Sequence, residues 1–562
     1  MKNFIKQMKT NIEGLVFDAY KAAFLDGDLP KISDFASDVE IPKEKTNGDF
    51  SVNFAMRNSK ALGMPPRKIA EILINKIDLY DTDIEKCEVA GPGFINFYLN
   101  DSFYYNSAEA AFLMGDKFGK TNLGNGDKAL VEYISANPTG PMHVGNARGG
   151  AIGDCMANIL SWANYDVTKE FYINDAGNQI EKFAVSLEAR FIQLVSGEDS
   201  IEFPEDAYHG EDITDSMREF IKEFGSDDYI NMESSQRKKK FVEFSLERNI
   251  ESLKSVTKSY GVIYDVWFRE SKLHSENKVI GIVDKLKKKE LAYESEGAVW
   301  FSSTKFGAEK DDVLIRANGI PTYFAADIAY HIDKFERGNK LLINVWGADH
   351  HGHVERLKGA LSALSYPGDK LHIILMQLVR LIKNNEPYRV SKRSGKAISL
   401  SDLIEETSCD ASRFFFNLRS PSSHFDFDLD LAVSQSNENP VFYCQYAHAR
   451  ISSILRVLSD ENIKFDNMGD FSLLIEKEEK ELIEKLISLP NEIESAVLSY
   501  DPSRITKYAL DVAGCFHSFY NACRVKNEDE KLMQARISLI MLTKNIIKNT
   551  LTILGVNAPE SM

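Results

Sequence analysis

The amino-acid sequence predicts a multidomain α/β protein, in which a parallel-sheet domain with helical insertions lies between an α+β N-terminal domain and an all-α C-terminal helix bundle. Three observations carry this prediction. The 562 residues exceed what one hydrophobic core usually supports. Near residue 130 an apolar strand pattern, a Pro- and Gly-containing loop and a long helical pattern follow one another. From about residue 436 onward, apolar residues recur with the period of a helix.

The N-terminal domain is expected to span residues 1–112. An amphipathic helix comes first, followed by an alternating stretch that ends in GDFSVNFAM and by a helix at PPRKIAEILINKI. A strand pair follows in CEVAGPGFINFYL, where Gly91, Pro92 and Gly93 mark the turn.

The parallel-sheet domain is expected at residues 120–400. ALVEYIS is a short apolar strand, NPTGPMHVGN is a loop, and a long helix follows, which is the opening unit of a Rossmann-like nucleotide-binding fold. The highly charged stretch at about 195–290 is expected to be a helical insertion. AVWFSS, DVLIRA and KLLINVWGADH are strand patterns, and they are expected to resume the same sheet. Residues 401–562 are then the helical domain.

Composition excludes several classes of protein. The net charge of -17 argues against a protein that coats nucleic acid indiscriminately, so an RNA partner would have to meet local basic patches. The six cysteines are scattered without a CxxC pair, which argues against a zinc knuckle or a disulfide framework. No secretory signal or membrane-spanning run is recognisable, so a cytoplasmic protein without a membrane partner is expected.

The loop between the first strand and the long helix carries the strongest local motif, Asn137-Pro-Thr-Gly-Pro-Met-His143-Val-Gly145-Asn146. A helix N-terminus offers unpaired N–H groups and partial positive charge to a phosphate. Gly145 leaves room for an adenine ring, and His143 can donate to a phosphate oxygen. Taken alone, His143 is more often an ordinary loop histidine, but its position between strand and helix favours nucleotide binding.

A second motif, Arg389-Val-Ser-Lys-Arg-Ser-Gly-Lys396, follows about 250 residues later. The stretch 380–396 contains six basic residues and one acidic residue in a chain of net charge -17. A basic loop with Gly and Ser suits a clamp for triphosphate. The runs 237–240 and 285–289 lack such spacing and are interpreted as solvated charges.

Together, the histidine loop and the late Lys-Ser loop resemble the HIGH and KMSKS signatures of class I aminoacyl-tRNA synthetases. The segments ANPTGPMHVGNARGG, NDAGNQI, YHGEDI, DDVLIRANGIPTYFAADIAYHIDK, WGADHHGHVERL, QYAHARI and APESM occur in the order typical of arginyl-tRNA synthetases. GDFSVNFAM and GPGFINFYL resemble that family's extra N-terminal domain. The resemblance covers essentially the whole chain.

The resemblance implies which residues form each site. The catalytic set is His143, Gly145, Asn146 and Lys392. The ATP-binding set is Pro138, Thr139, Gly140, His143, Gly145, Gly347, Asp349, His350, Ser391, Lys392 and Arg393. The arginine-binding set is Glu132, Ser135, Asn137, Tyr323 and Asp327. The tRNA-binding set is Asp49 and Asn53 at the tRNA elbow, with Tyr443, Tyr446 and Arg450 in the anticodon-binding domain.

The chemistry of the substrate agrees with the arginine-binding set. A guanidinium group is a planar fork of five donors that stays charged, so its pocket needs acidic acceptors and, preferably, an aromatic face. Asp327, Glu132 and Tyr323 are of these types, and one helical turn would place Tyr323 beside Asp327. Lysine would leave acceptors unpaired at roughly 1–3 kcal/mol each, so no editing domain is required.

The resemblance also implies the reaction and its partners. Arginine is activated by ATP, with Mg2+ accompanying the nucleotide, and is then transferred to tRNA(Arg) that must already be bound. No permanently bound metal is expected, and a monomer is expected. Candidate base-stacking aromatics in the helical domain, each of which is more often a core residue, are Tyr443, Tyr446, Phe516, Phe519 and Tyr520.

Two departures and several alternatives accompany this interpretation. Asn146 replaces the second histidine of HIGH, and Arg389 replaces the first lysine of KMSKS. A synthetase for glutamine or glutamate, a silent tRNA-binding paralogue and a dehydrogenase are the alternatives, although the last lacks GxGxxG. The stretch 115–121 is one residue short of a P-loop, and His350, His351 and His353 lack a completing carboxylate or cysteine pattern for a metal.

Overall fold

The structure is a computed structural model, and it describes residues 3–140, 142–388, 398–463, 465, 467–527 and 529–562. The N-terminal domain is an antiparallel sheet with helices packed against it. Its strands are Val39–Glu40 (β1), Phe50–Val52 (β2), Ile84–Ala90 (β3) and Phe94–Leu99 (β4), paired in the order β1-β2-β4-β3. Its helices are Phe4–Leu25 (α1), Phe54–Leu62 (α2), Pro66–Ile74 (α3) and Asp101–Met114 (α4).

The strand pair predicted in CEVAGPGFINFYL is present as β3 and β4. The end of the preceding alternating stretch, NFAM, is helical instead, because α2 begins at Phe54. Phe54 and Ala55 are adjacent and both fully buried. A strand points neighbouring side chains to opposite faces, so burial of both favours the helix.

The central sheet has five parallel strands. They are Lys128–Glu132 (β5), Asp166–Ile173 (β6), Val266–Arg269 (β7), Leu341–Gly347 (β11) and Leu371–Met376 (β12), in the spatial order β12-β11-β5-β6-β7. The order reverses between β5 and β11, which lie side by side. In a doubly wound sheet, ligands bind outside the carboxyl ends of the strands at such a reversal.

Two of the three strand patterns expected to resume the central sheet belong elsewhere. Ala292–Ser295 (β8), Ala298–Phe301 (β9) and Asp312–Ile315 (β10) form a separate antiparallel sheet. The expectation for AVWFSS and DVLIRA was therefore wrong, and only KLLINVWG joins the central sheet. The reason is local: β8 and β9 are joined by a two-residue turn with Gly297 at φ +73, and parallel neighbours need a long crossover instead.

The insertion predicted at about 195–290 is largely helical. The helices from the end of β6 to β7 are Asn178–Ser196 (α6), Glu211–Phe224 (α7), Asp227–Ile230 (α8) and Ser234–Ser259 (α9). They enclose their own small hydrophobic core, which includes Phe191, Phe220 and Phe241. The insertion ends earlier than predicted, because β7 already belongs to the central sheet.

The remaining helices of the parallel-sheet domain flank its sheet. They are Val144–Trp162 (α5), Glu270–Ser275 (α10), Lys278–Lys288 (α11), Tyr323–Glu336 (α12) and His351–Ala363 (α13). A small mixed sheet and three short helices follow: Val379–Lys383 (β13), Glu386–Pro387 (β14), Phe425–Asp428 (β15), Leu400–Glu406 (α14), Cys409–Phe416 (α15) and Leu429–Val433 (α16).

The C-terminal region is a helix bundle, as the helical periodicity predicted. Its helices are Pro440–Asp460 (α17), Lys477–Ile487 (α18), Leu489–Ser499 (α19), Ser503–Ala522 (α20) and Glu530–Leu554 (α21). Among the described residues, α21 is the one helix that meets the length and composition of a membrane span, and 72% of its apolar window is buried. Its apolar surface is therefore covered by the bundle, where it packs against α17 and α20.

A buried arginine joins the bundle to helix α5. Arg413 is fully buried, and its guanidinium group donates to Asp154 of α5 over 2.5 Å and to the carbonyl oxygen of Leu554, at the end of α21, over 3.1 Å. Lys169 donates to the same carboxylate over 2.7 Å. Burial raises the pKa of Asp154, but these two cations outweigh it and hold that pKa below its usual value. Asp154 therefore stays ionised, and helix α5 is held by both domains.

Candidate active site

The loop after β5 and the N-terminus of α5 lie at the point where the sheet order reverses. His143 is the residue that precedes the first turn of α5, and its side chain is exposed. Gly145, in that first turn, has open space around the position a Cβ would occupy. The partial positive charge of the helix N-terminus therefore lies at a site that an anion can reach.

The chain that follows the Lys-Ser loop lies beside this turn. His143 forms an isolated antiparallel bridge with Ser399. The amide of Val144 donates to the carbonyl of Ile398 over 3.1 Å, and the amide of Leu400 donates to the carbonyl of Met142 over 3.0 Å. The nominated residues Arg389, Ser391, Lys392 and Arg393 lie outside the described residues, but the segment that leaves their loop is anchored to the histidine turn.

The residues that follow β11 lie on the other side of the point where the strand order reverses. Gly347 ends the strand, and Asp349 and His350 follow in a short turn with their side chains mostly exposed. The ring centroid of His350 lies 5.9 Å from that of Trp346. The nominated adenosine-binding residues thus follow the strand that lies next to β5, whose own carboxyl end leads into the loop before His143.

Among the nominated arginine-binding residues, Tyr323 and Asp327 lie one turn apart on α12, as predicted. The side chain of Thr322 caps this helix by accepting from the amide of Ala325. Tyr323 is about half exposed, and the Asp327 side chain is 31% exposed. One Asp327 carboxylate oxygen accepts from Nε2 of His353 on α13 over 2.7 Å. The pair therefore presents an aromatic ring and a carboxylate on one face of α12.

The negative charge of Glu132, at the end of β5, is balanced by a buried ammonium group. Lys334 of α12 is fully buried, and its Nζ lies 2.6 Å from Oε2 of Glu132. Ser135 donates to the other oxygen over 2.8 Å. Each carboxylate oxygen has two lone pairs, so both can accept a further bond, but the charge of Glu132 is already compensated inside the protein.

A further carboxylate, which the sequence argument missed, lies in the same place. Glu270 follows the last residue of β7, is 4% exposed and accepts from the hydroxyl of Tyr172 over 2.8 Å. Burial raises the pKa of Glu270, the hydrogen bonds from Tyr172 and His274 oppose that rise, and the negative charge of Asp327 adds to it. Glu132 and Asp327 also raise the pKa of Tyr172, after burial and Glu270 itself. The negative charges of three acidic groups therefore act on this tyrosine, and one of the three, Glu132, is already balanced by Lys334.

A sequence signal for Glu270 does exist. Parallel strands bring their carboxyl ends to one edge, so the residue after each strand is a site candidate. The sequence pattern predicts residues 266–269 as part of the charged insertion rather than of the sheet, so this rule does not point to Glu270 before β7 is known.

The nominated tRNA-binding residues of the N-terminal domain have internal partners. The Asp49 carboxylate accepts from the amide of Leu99 over 2.7 Å and from the hydroxyl of Tyr104 over 2.5 Å. The Asn53 amide oxygen accepts from the backbone amide of Asp38 over 3.0 Å. Asp49 thus stabilises the sheet, and Asn53 stabilises the segment that leads into α2.

The helical domain carries a partly exposed aromatic and basic face on α17 and α20. Arg450 donates to the hydroxyl of Tyr520 over 2.8 Å and lies 4.8 Å from its ring centroid. The rings of Tyr443 and Tyr446 pack on His517, at 4.6 and 6.0 Å. Phe516 and Phe519 are fully buried and are core residues. The partly exposed tyrosines are therefore the ones available to a base.

The fold and this edge of the sheet define a class I aminoacyl-tRNA synthetase. A family model described as "tRNA synthetases class I (R), catalytic domain" matches residues 109–417, more than half of the chain. The model "Arginyl tRNA synthetase N terminal domain" matches residues 7–99, and the "DALR anticodon binding domain" matches residues 444–562.

Known proteins narrow the class to one family. The arginine--tRNA ligases of Ruminiclostridium cellulolyticum and Caldanaerobacter subterraneus are 52% and 53% identical to this chain over 565 residues, with all of each chain covered. The solved arginyl-tRNA synthetase of Thermus thermophilus matches at a TM-score of 0.75 with 22% identity, over 99% of this chain and 100% of that one, which shows the shared fold. The chain belongs to the arginyl-tRNA synthetase family.

Proposed function

We propose that the chain ligates L-arginine to tRNA(Arg) through an arginyl-adenylate, with ATP as substrate and AMP and diphosphate as products, for use in translation. Membership of the arginine--tRNA ligases, with a class I catalytic domain and an anticodon-binding domain, supports the overall reaction. One observation carries the choice of amino acid: the negative charge of Asp327 acts on the buried Glu270 and on Tyr172, at the carboxyl end of the central sheet. A site with two acidic groups and a tyrosine fits a guanidinium group and disfavours an acidic or neutral substrate.

The first step follows from where the groups lie. ATP would place its phosphates at the N-terminus of α5, near His143 and Gly145, with Pro138, Thr139 and Gly140 in the approach loop. Gly347, Asp349 and His350 would contact the adenosine. The arginine carboxylate would attack the α-phosphorus in line, with diphosphate leaving. Lys392, with Ser391 and Arg393, is proposed to stabilise that leaving group, and Mg2+ to accompany the nucleotide.

Arginine would be held with its guanidinium group in the acidic pocket. Asp327 and Glu270 are the acceptors whose charges that group could neutralise, whereas Glu132 already faces Lys334. Tyr323 would lie against the planar cation. Ser135 and Asn137, on the loop after β5, are proposed to hold the α-amino and carboxylate groups. The lysine ammonium cannot satisfy the same acceptors, which accounts for selectivity without editing.

In the second step the 2′-hydroxyl of the terminal adenosine would attack the activated carbonyl carbon and release AMP. Because positioning and charge stabilisation dominate such reactions, no side chain is assigned as general base. Tyr443, Tyr446 and Arg450 are proposed to bind the anticodon, and the domain at 1–112, including Asp49 and Asn53, the tRNA elbow. We further propose that tRNA must bind before arginine is activated, and that the enzyme acts as a cytoplasmic monomer.

ATP–diphosphate exchange with each of the twenty amino acids, with and without tRNA, tests this function. Exchange confined to arginine and dependent on tRNA is the expected result. The variant Asp327→Asn should raise the KM for arginine at least tenfold at pH 8, since a charge-assisted hydrogen bond contributes roughly 1.5–3 kcal/mol and tenfold is 1.4 kcal/mol. Its KM for ATP should stay within twofold of the parent value. Exchange with glutamate or glutamine, or none with arginine, would contradict the proposal.

A further inference from the structure

A chain of side chains lies behind Asp327 and ends in the small antiparallel sheet. His353 donates from Nε2 to Oδ2 of Asp327 over 2.7 Å, and Nε of Arg356 lies 2.8 Å from Nδ1 of His353. Nη1 of Arg356 lies 2.7 Å from Oδ1 of Asp312, the first residue of β10. Ser303 donates to the other Asp312 oxygen over 2.7 Å.

The hydrogen bonds determine the protonation state of His353. A guanidinium group only donates, so Nδ1 of His353 must accept with its lone pair. The ring proton is then on Nε2, where it is donated to Asp327. A second ring proton would have to point at the N–H of Arg356, which has no acceptor to offer. The imidazole is therefore held neutral, in one tautomer.

The surroundings of the imidazole support the same state. From α12 it faces Asp327 and His331, and from its own helix it faces Arg356; the Trp346 ring of β11 lies 5.5 Å away. Burial holds the pKa of His331 well below its usual value, so that ring is neutral too. Arg356 is thus the one cation that we find in contact with His353 among the described residues, and its charge is matched by Asp312.

Neutrality of His353 matters for the substrate. An imidazolium would form an ion pair with Asp327 and compete with the incoming guanidinium group. A neutral imidazole orients the carboxylate and leaves its negative charge unbalanced. We propose that Arg356 is a positioning residue of the arginine pocket, which holds His353 in the neutral tautomer so that Asp327 remains a fully charged and oriented acceptor. This inference rests on the proposed role of Asp327 in binding arginine.

The proposal predicts a new pH dependence when Arg356 is removed. In Arg356→Gln the Nδ1 lone pair is released, so the imidazole can take up a proton beside Asp327 as the pH falls. The ratio of the KM for arginine in this variant to that in the parent enzyme should rise at least fivefold between pH 8 and pH 6. The KM for ATP and kcat at saturating arginine should stay within twofold of the parent values. A purely structural loss would change the ratio equally at both pH values.

Two further variants make the experiment decisive. Arg218→Gln removes an exposed arginine of the helical insertion that pairs with Asp215. Its KM for arginine, relative to that of the parent enzyme, should not change between pH 8 and pH 6. His353→Asn/Arg356→Gln lacks the titrating ring. Its KM for arginine, relative to that of the parent enzyme, should therefore be higher at every pH but should not change with pH. This double variant tests the proposal separately if Arg356→Gln shows a lower melting temperature.

The outcomes separate the inference from the proposed function. If Asp327→Asn leaves the KM for arginine unchanged at pH 8, Asp327 is not the acceptor, and both the proposed arginine pocket and the proposed role of Arg356 are wrong. If Asp327→Asn raises the KM for arginine but the KM ratio of Arg356→Gln to the parent enzyme is the same at pH 8 and pH 6, only the proposed role of Arg356 is wrong. A pH-dependent ratio that persists in the double variant would also overturn it, since another group would then be titrating.

Discussion

Replacing Lys334 with methionine should destabilise the catalytic domain strongly. Lys334 is fully buried, its Nζ lies 2.6 Å from Oε2 of Glu132 and 3.1 Å from the amide oxygen of Asn344, and it lies 4.1 Å from the Tyr330 ring centroid. Methionine keeps most of the side-chain volume but removes the charge. The carboxylate of Glu132 would then be buried without a counter-ion.

The geometry sets the size of the effect. At 2.6 Å and an effective dielectric constant of about 20, two unit charges attract by roughly 6 kcal/mol. The cost of desolvating the ammonium group offsets part of this, and removing one partner of a buried pair typically costs about 3–5 kcal/mol. We expect a loss of that order in the free energy of unfolding. Removing both charges in Glu132→Gln/Lys334→Met should recover stability to within about 2 kcal/mol of the parent protein, since replacement of a whole buried pair is often neutral.

Tryptophan fluorescence during urea unfolding measures this domain selectively. The protein has four tryptophans, Trp162, Trp267, Trp300 and Trp346, and all lie between residues 109 and 417. Lys340→Met is the matched control, because Lys340 is 69% exposed and pairs with Asp127 at the surface, where a pair contributes about 0–1 kcal/mol. A Lys334→Met variant that is no less stable than Lys340→Met, or a double variant that is no more stable than Lys334→Met, would contradict this prediction.

Three further predictions concern pH, packing and tRNA. Because burial raises the pKa of Glu270 above the usual 4.5, the folded protein keeps a proton that the unfolded chain has already lost; stability from this group is present below pH 4.5 and is lost as pH rises above it. Glu270→Gln should therefore make the fall in unfolding free energy with rising pH shallower, and parallel curves for the two proteins would contradict this. Gly153→Ala should lower stability by roughly 1–3 kcal/mol in the same fluorescence assay, because its Cβ would overlap the buried ring of Tyr133; an unchanged urea midpoint would show that the ring moves aside. Tyr446→Ala should raise the KM for tRNA in aminoacylation about tenfold, since a base stacked on an aromatic ring contributes roughly 1–3 kcal/mol, while the KM for arginine at saturating tRNA stays constant; an unaltered KM for tRNA would remove Tyr446 from the proposed anticodon surface.

Local patterns in the sequence were enough to predict several elements. The strand, loop and helix around His143 appear in the structure as β5 and α5, and Tyr323 and Asp327 lie one turn apart on α12. Such elements depend on periodicity and on capping residues within about twenty positions, and so they can be predicted without knowing the rest of the fold.

The strand assignments were wrong where short strands had ambiguous neighbours. The four residues of β7 looked like part of a charged insertion, and β9 looked like a strand of the central sheet. Which sheet a four-residue apolar segment joins depends on pairing with distant strands rather than on its own composition. Glu270 was missed for this reason, although the rule that finds site residues at strand ends applies to it.

By itself, the sequence determined the chemical types at the proposed site: a glycine-containing turn at the start of a helix, a basic loop, and acidic groups suited to a guanidinium substrate. Only the tertiary structure decided which of those acids carries an uncompensated charge. Glu132 is neutralised by Lys334, 202 positions away in the chain, whereas Asp327 meets a histidine that Arg356 holds neutral. The physical reason is that the sheet order and helix packing bring such partners together from distant parts of the chain, so no local pattern specifies the charge balance between them.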